Sequence, residues 1–304
     1  MALSRSFQDV LGGIGLREIV KPENLRARNL PTQHSGTAAT AETFIFEIPT
    51  DRLIHAIIIS IGENAVAGAA GDTGATLADD VNDIQLQSNM GPLKDMTGGM
   101  SKQVSIVNKE VQSTGFYKLY FTDPVVPGAM PLPSWIFSSL DLKITDNAPA
   151  GAAYHHIRVS VIESELPKGT DVTGWRILVE KYLRWKKYGT NTGWQDYDHE
   201  RAYRIFGYLY AMDDNATLSD TAFDKFTLMG IAPGGEHRLV DEVWITHLRE
   251  LNKQAYQNAM GTGYVYSEFR EGYESGQYRT LMSKLNIPSA GTNVGVRVLE
   301  RYLL

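Results

Sequence analysis

Asp72-Thr73-Gly74-Ala75 is the sharpest chemical motif in the sequence. It has the form of the active-site string of aspartic proteases, where two Asp carboxylates share one proton. That chemistry needs a second copy, from the same chain or from a symmetric dimer, and the sequence holds one. The residues before it, Val66-Ala67-Gly68-Ala69-Ala70-Gly71, have the composition of a loop rather than of the bulky apolar strand that usually precedes the motif, so a surface loop is expected here.

Other reactive side chains are scattered. Gly12-Gly13-Ile14-Gly15 and the glycines between 68 and 74 match neither the dinucleotide fingerprint nor a phosphate loop ending in Gly-Lys-Ser/Thr. His155 and His156 are adjacent, so on a strand they point to opposite faces and cannot share a metal. His55 falls on an apolar strand face, as a satisfied core or interface histidine would. Asp79, Asp80 and Asp83 could hold a hard cation such as Ca²⁺ but lack the EF-hand pattern, and solvated turn acids are the plainer expectation. Glu47 and Glu163 are the carboxylates that a jelly-roll glycosidase would have to bring together. There is no Gly-x-Ser-x-Gly elbow. These residues give no catalytic assignment, and no cofactor or metal ligand is assigned.

The strongest surface signal is cationic. Between 175 and 188, Arg176, Lys181, Arg184, Lys186 and Lys187 interleave with Trp and Tyr against one acid, Glu180. Trp175, Leu178, Val179, Tyr182 and Trp185 recur at helical spacing, with Asp171 or Thr173 placed to cap the start and Gly189 the end, which predicts a helix over 174–188. Its basic face suits an anionic lipid surface or nucleic acid; its apolar stripe suits docking between two domains, which is the plainer expectation. Phe7, Val10, Leu11 and Ile14 have the same spacing near the N-terminus, weakened by the neighbouring glycines.

The positioning elements are mostly strands. Of 304 residues, 43% are hydrophobic and 10% aromatic, enough for a sizeable core in two ordinary domains. Cysteine is absent, which excludes disulfides and thiolate metal sites. A net charge of −6 argues against a broad nucleic-acid surface. Arg5, Gln8, Asp9, Arg17 and Glu18 break up the first 20 residues, unlike a signal peptide, and no apolar stretch is long enough to span a membrane, so folding in a cytoplasm is expected. Period-two patterns predict strands at 44–48, 53–61, 82–87, 103–108, 116–121, 138–144, 155–163, 203–209, 223–230, 237–240, 263–270 and 293–302. A helix is expected at 242–257, with Trp244, Leu248, Leu251 and Ala255 on one face. Many short strands with long loops, and no β-α alternation, indicate a mainly β architecture of the jelly-roll kind. The division expected is an N-terminal arm at 1–40, a first jelly roll at 41–165, a linker with the basic-aromatic helix at 166–198, and a second jelly roll at 199–304.

This order resembles the double jelly-roll major capsid proteins of tailless icosahedral bacteriophages with an internal membrane, of the corticovirus and flavobacterial lipid-phage type, within the adenovirus-hexon lineage. Phe44-Ile45-Phe46-Glu47-Ile48-Pro49 and the Ile-rich run after it look like the family's opening strands. Phe116 to Phe121, Ser139 to Ile144 and His156 to Glu163 look like the rest of a first barrel. Trp175 to Trp185 resembles the helix between barrels, and Tyr203-Arg204-Ile205, Trp244 to Leu251 and Val294 to Tyr302 look like parts of a second. The long loops at 63–80 and 123–136 depart from the family pattern and leave the strand count of the first barrel open.

The resemblance implies two consecutive jelly-roll barrels with a few helices, forming a pseudo-hexagonal trimer. It implies a structural, non-enzymatic virion protein made in a host cytoplasm, without cofactor and without sequence-specific nucleic-acid binding. Its partners would be two further copies, neighbouring capsomers, minor capsid and penton proteins, and an internal lipid membrane. Phe7, Val10 and Leu11 of the arm, with Arg176, Lys181, Arg184, Lys186 and Lys187, would be the membrane or neighbour contacts. Two other classes remain: a carbohydrate-binding or glycoside-hydrolysing jelly roll, with a cleft of exposed aromatics and paired carboxylates, and a trimeric viral spike.

Overall fold

A computed structural model of the chain describes residues 25–66, 77–109, 115–122, 129–149, 153–165, 174–182, 185–200 and 204–304. The Asp72–Ala75 motif, the glycines at 12–15 and 68–74, arm residues Phe7, Val10 and Leu11, Asp171, Thr173 and Arg184 lie outside the described residues. Contacts divide the chain into two units: Met1–Ser105 with Val111–Leu178, and Ile106–Glu110 with Val179–Leu304.

The first unit carries β1 (Arg26–Asn29), β2 (Gln33–His34), β3 (Thr43–Glu47), β4 (Leu53–Asn64), α1 (Leu77–Asp80), β5 (Val81–Ser88), β6 (Gly91–Met96), α2 (Gly98–Val107), β7 (Phe116–Tyr120), β8 (Leu132–Pro133), β9 (Leu140–Asp146) and β10 (Tyr154–Ser164). The last two residues of α2 group with the second unit. Two antiparallel sheets form, in the orders β1-β10-β4-β7 and β3-β9-β5-β6, with β2 and β8 as short additions to the first. Alternation makes the core: Phe44 and Phe46 of β3, Ile84 and Leu86 of β5, Leu142 and Ile144 of β9, and Ile157, Val159 and Val161 of β10 are all buried.

The second unit carries β11 (Leu178–Tyr182), β12 (Lys186–Gly189), β13 (Gly193–Asp198), β14 (Arg204–Asp214), β15 (Thr217–Leu218), β16 (Lys225–Ala232), β17 (Gly235–Trp244), α3 (Ile245–Tyr256), β18 (Tyr264–Tyr273), β19 (Thr280–Ile287) and β20 (Val294–Leu303). β20 lies between β14 and the pair β11 and β12, and β18 lies on the far side of β14. The opposite sheet runs β13-β19-β16-β17. Tyr208, Tyr210, Phe223, Phe226, Leu228, Leu285, Val296 and Val298 are among the residues filling this core.

In each unit the opening strand lies beside the closing one, and the next strand inward lies beside the next-to-last. That winding is a jelly roll, and its occurrence twice makes the chain a double jelly roll. A helix occupies the same place in each winding: α2 joins β6 to β7, and α3 joins β17 to β18.

Several sequence expectations are corrected. The stretch 174–188 is not a helix; it holds β11 and β12, the opening strands of the second unit. Ile177, Val179, Tyr182 and Trp185 suit a strand as well as a helix, and pairing along β20 decides between the two patterns. The strand expected at 103–108 is α2, which Thr97 starts by accepting the Met100 N–H at 3.1 Å on its Oγ1. Its β-branched residues look strand-like only because the helix is buried nearly all round. Residues 26–34, within the stretch assigned to the arm, pair as β1 and β2 along β10. Strands β6, β13 and β19 had no counterpart among the expected ones. Helix α3 forms as expected, but its buried stripe is Ile245, Asn252 and Tyr256, while Leu251 is 57% exposed.

Asn252 explains that stripe. Its amide donates to the Tyr266 carbonyl and accepts the Tyr266 N–H, both at 2.9 Å, so a side chain closes the outer edge of β18. Gln33 does the same to the outer edge of β3, donating to the Ile45 carbonyl at 2.5 Å and accepting the Ile45 N–H at 3.3 Å. A primary amide reproduces the donor–acceptor pair of a neighbouring strand without offering another edge. Gly207 on β14 serves a different purpose. A Cβ there would run into the Tyr266 hydroxyl, so only glycine lets that ring cross the strand.

Candidate functional site

The most reaction-like geometry among the described residues was not legible in the sequence. Ser283 of β19, His199 after β13 and Glu300 of β20 meet in the second unit. Ser283 Oγ lies 2.6 Å from His199 Nε2, and His199 Nδ1 lies 3.1 Å from Glu300 Oε1. Glu300 Oε1 also accepts the Glu200 backbone N–H, so it is an acceptor and His199 donates from Nδ1. His199 Nε2 then accepts from Ser283, and Ser283 can accept from the Tyr210 hydroxyl at 2.6 Å. Tyr208 stacks on the imidazole with centroids 4.0 Å apart. The spacing is that of a nucleophile, base and orienting acid. Its setting is a core: Ser283, Tyr208 and Tyr210 are fully buried. Burial lowers the His199 pKa to about 3 and raises that of Glu300 to about 8, so both stay neutral at intermediate pH. As folded, Ser283 offers no path for an incoming carbonyl, and the cluster serves as a polar tie between three strands.

The histidines of the first unit are ties as well. His155 Nδ1 bonds Asp146 Oδ2 at 2.7 Å, and its backbone N–H donates to Ser35 Oγ at 3.0 Å. Asp146 Oδ1 also accepts the Glu42 N–H. His156 instead faces His34 across the ladder, with ring centroids 6.0 Å apart. His55 is held by Thr122 Oγ1 at 3.1 Å and Ser164 Oγ at 2.7 Å, and burial lowers its pKa to about 4.

Asp79 and Asp80 lie on the single turn α1, where their carbonyls accept bonds from Asn147. Among the described residues no group of three or more His, Cys, Asp or Glu is arranged to hold a metal. Glu47 and Glu163 sit on different sheets, and Arg28 holds Glu163 at 2.9 Å.

The cationic segment keeps its charge but loses its helix. Lys181 pairs with Glu200 at 3.2 Å, and Lys187 with the buried Asp213. Lys187 also lies 4.6 Å over the Trp185 ring, Arg297 lies 4.8 Å from the same ring and 4.7 Å from Tyr182, and Lys186 lies 5.9 Å from Tyr188. Arg176 is exposed. The aromatics of this segment hold cations against the barrel wall instead of forming an amphipathic face, and two of its cations are matched by carboxylates. Another group missed in the sequence is Arg301, 1% exposed, whose Nε bonds Glu180 at 2.9 Å and whose Nη2 bonds Asn108 at 3.1 Å.

The outer surfaces carry the remaining functional potential. β17 is an end strand, paired on one side with β16 and exposed along most of its length. Trp194 and Trp244 on the same sheet are 43% and 46% exposed. In the first unit, Arg26, Glu165, Arg52, Asp51, Arg28 and Glu163 form a continuous chain of ion pairs where β1 begins and β10 ends.

Comparison with known proteins gives likeness in structure only. No family model matches the chain, and no curated sequence matches it. The major capsid protein of Sulfolobus turreted icosahedral virus superposes with a TM-score of 0.67 at 12% identity, over 92% of this chain and 96% of that one. The major capsid protein P2 of bacteriophage PM2 gives 0.62 at 10% identity, over 92% and 98%. The PBCV-1 virus capsid gives 0.58 at 11% identity, over 92% and 94%.

Proposed function

We propose that the chain is the major capsid protein of an icosahedral virus, a structural and non-enzymatic subunit of the virion. The observation that carries this is a whole-chain match: the double jelly roll spans 92% of this chain and 96–98% of two viral major capsid proteins, with neither side left with a large extra domain. Two similar barrels in one chain give a trimer six similar barrels, which suits a pseudo-hexagonal tile, and threefold closure repeats one heterologous interface three times. The edges of β3 and β18, closed by Gln33 and Asn252, suit such a building block, since contacts there form through faces and loops rather than through open strand ladders.

On this reading the chain forms a trimer that contacts neighbouring capsomers and minor capsid and penton proteins, over a lipid membrane beneath the shell. The arm residues Phe7, Val10 and Leu11, with Arg176, Lys181, Arg184, Lys186 and Lys187, are the proposed neighbour or membrane contacts. Among the described residues of this set, pairing of Lys181 and Lys187 with carboxylates makes Arg176 and Lys186 the better candidates for an anionic surface.

Light scattering coupled to size exclusion tests the trimer. The expected mass is about three times 33.7 kDa. Electron microscopy of the same material is expected to show hexagonal tiles or shells. A monomer that forms neither at high concentration overturns the proposal.

A further inference from the structure

We propose that the outer face of the β13-β19-β16-β17 sheet is a binding groove for a neutral oligosaccharide. This goes beyond a shell-forming role and does not depend on it.

The ladder registers place Trp194, Asn286, Lys225 and Trp244 in one row across all four strands. Trp194 stands exposed at one end of this row, and at the other the Lys225 ammonium lies 4.6 Å over the Trp244 ring, so Trp194 is the indole open to a ligand. Below that row a groove opens. Its floor is Thr227 and Met229, and its sides carry Trp194 and Lys284 on one hand and Arg238, Glu236 and Glu242 on the other. An exposed indole offers a flat apolar face to the C–H side of a pyranose. Carboxylate, guanidinium and ammonium groups beside it can bond adjacent hydroxyls.

The charges favour a neutral ligand. Lys225 pairs with Glu242 at 2.5 Å, Arg238 with Asp241 at 2.7 Å and Lys284 with Asp196 at 3.9 Å, so each of these cations has a carboxylate beside it. The groove thus presents many donors and acceptors without a net field that would select an anion.

The carboxylates do not form a hydrolytic pair. Glu236 lies opposite Ile231, and Glu242 lies beside Val243, which is opposite Phe226. Four strand residues separate these positions on β16, roughly 13 Å. Glu242 also leans away, onto Lys225, which lies 4.6 Å over the Trp244 ring. The acids therefore do not converge on one glycosidic bond, as glycoside hydrolysis requires. The geometry is that of binding.

The test uses the purified full-length chain. Cellotetraose, chitotetraose and maltotetraose are titrated by calorimetry and by tryptophan fluorescence, with tetragalacturonate as the anionic control. At least one neutral tetrasaccharide is expected to bind saturably, to bind more tightly than its disaccharide, and to lose about tenfold in affinity in Trp194→Ala. Trp194→Phe is expected to retain part of it, and unchanged thermal unfolding of both variants shows that the fold survives. Absence of saturable binding by all three neutral probes, binding of tetragalacturonate alone, or equal affinity in Trp194→Ala overturns the proposal. The oligomeric state is measured on the same sample, so failure here is distinct from failure of the capsid proposal.

Discussion

His199 and Glu300 titrate in opposite senses because burial opposes charge on either. The folded His199 has its pKa lowered to about 3, against 6.5 ordinarily, so the unfolded chain holds more protons between those values and stability rises with pH across them. The folded Glu300 has its pKa raised to about 8, against 4.5, so the folded chain holds more protons there and stability falls as pH rises from 4.5 to 8. Where the windows overlap the slopes oppose, so stability of the second unit is expected to peak between about pH 4.5 and 6.5. Calorimetric unfolding from pH 3 to 9 checks this: Glu300→Gln is expected to flatten the alkaline arm while leaving the acid arm in place. In the first unit His55, lowered to about 4, adds an acid arm of the same sign as that of His199. Arg301 supplies a second residue-scale expectation. Glu180→Gln removes the carboxylate that bonds the buried Arg301 guanidinium and is expected to cost about 3–5 kcal/mol in denaturant unfolding, whereas replacing Glu180 and Arg301 together by Leu and Met recovers much of the loss.

At the scale of elements, the two amide clamps differ in burial and so in consequence. Asn252 is buried, and Asn252→Ala strands the N–H and carbonyl of Tyr266 in the core. A loss of about 2–4 kcal/mol is expected from chemical denaturation, with Asn252→Asp intermediate because it keeps the acceptor. Gln33 is half-exposed on β2, so Gln33→Ala is expected to change stability little but to raise self-association, seen as concentration-dependent light scattering, because β3 then shows a bare edge. Periodicity predicts helix α3 but puts Leu251 in the buried stripe, a place that Asn252 holds. Hydropathy ranks leucine above asparagine, and only the position of the β18 edge reverses that order.

For the whole molecule, the place where the first barrel begins decides what truncation does. β1 starts at Arg26 and lies against Ile162 and Glu163 of β10. Removing residues 1–25 is expected to leave a folded trimer, judged by circular dichroism and light scattering, and to impair shell assembly seen by electron microscopy. Removing residues 1–36 also takes β1 and β2, the Arg28–Glu163 pair and Ser35, and is expected to destabilise the first unit itself.

The sequence by itself determined the mainly β character and most of the strands, because alternation is a local property written into each run such as 140–146 or 294–303; the two consecutive barrels were an implication of the family resemblance. It also determined that His155 and His156 could not act together, since period two separates them. The identity of 174–188 as the opening strands of the second barrel was decided only by tertiary structure. There a pattern compatible with both helix and strand is settled by β20, more than a hundred residues away. The same holds for the clusters Ser283–His199–Glu300 and Arg301–Glu180–Asn108 and for the tryptophan row: strand registers bring their members together, and register depends on pairings between segments far apart in the chain.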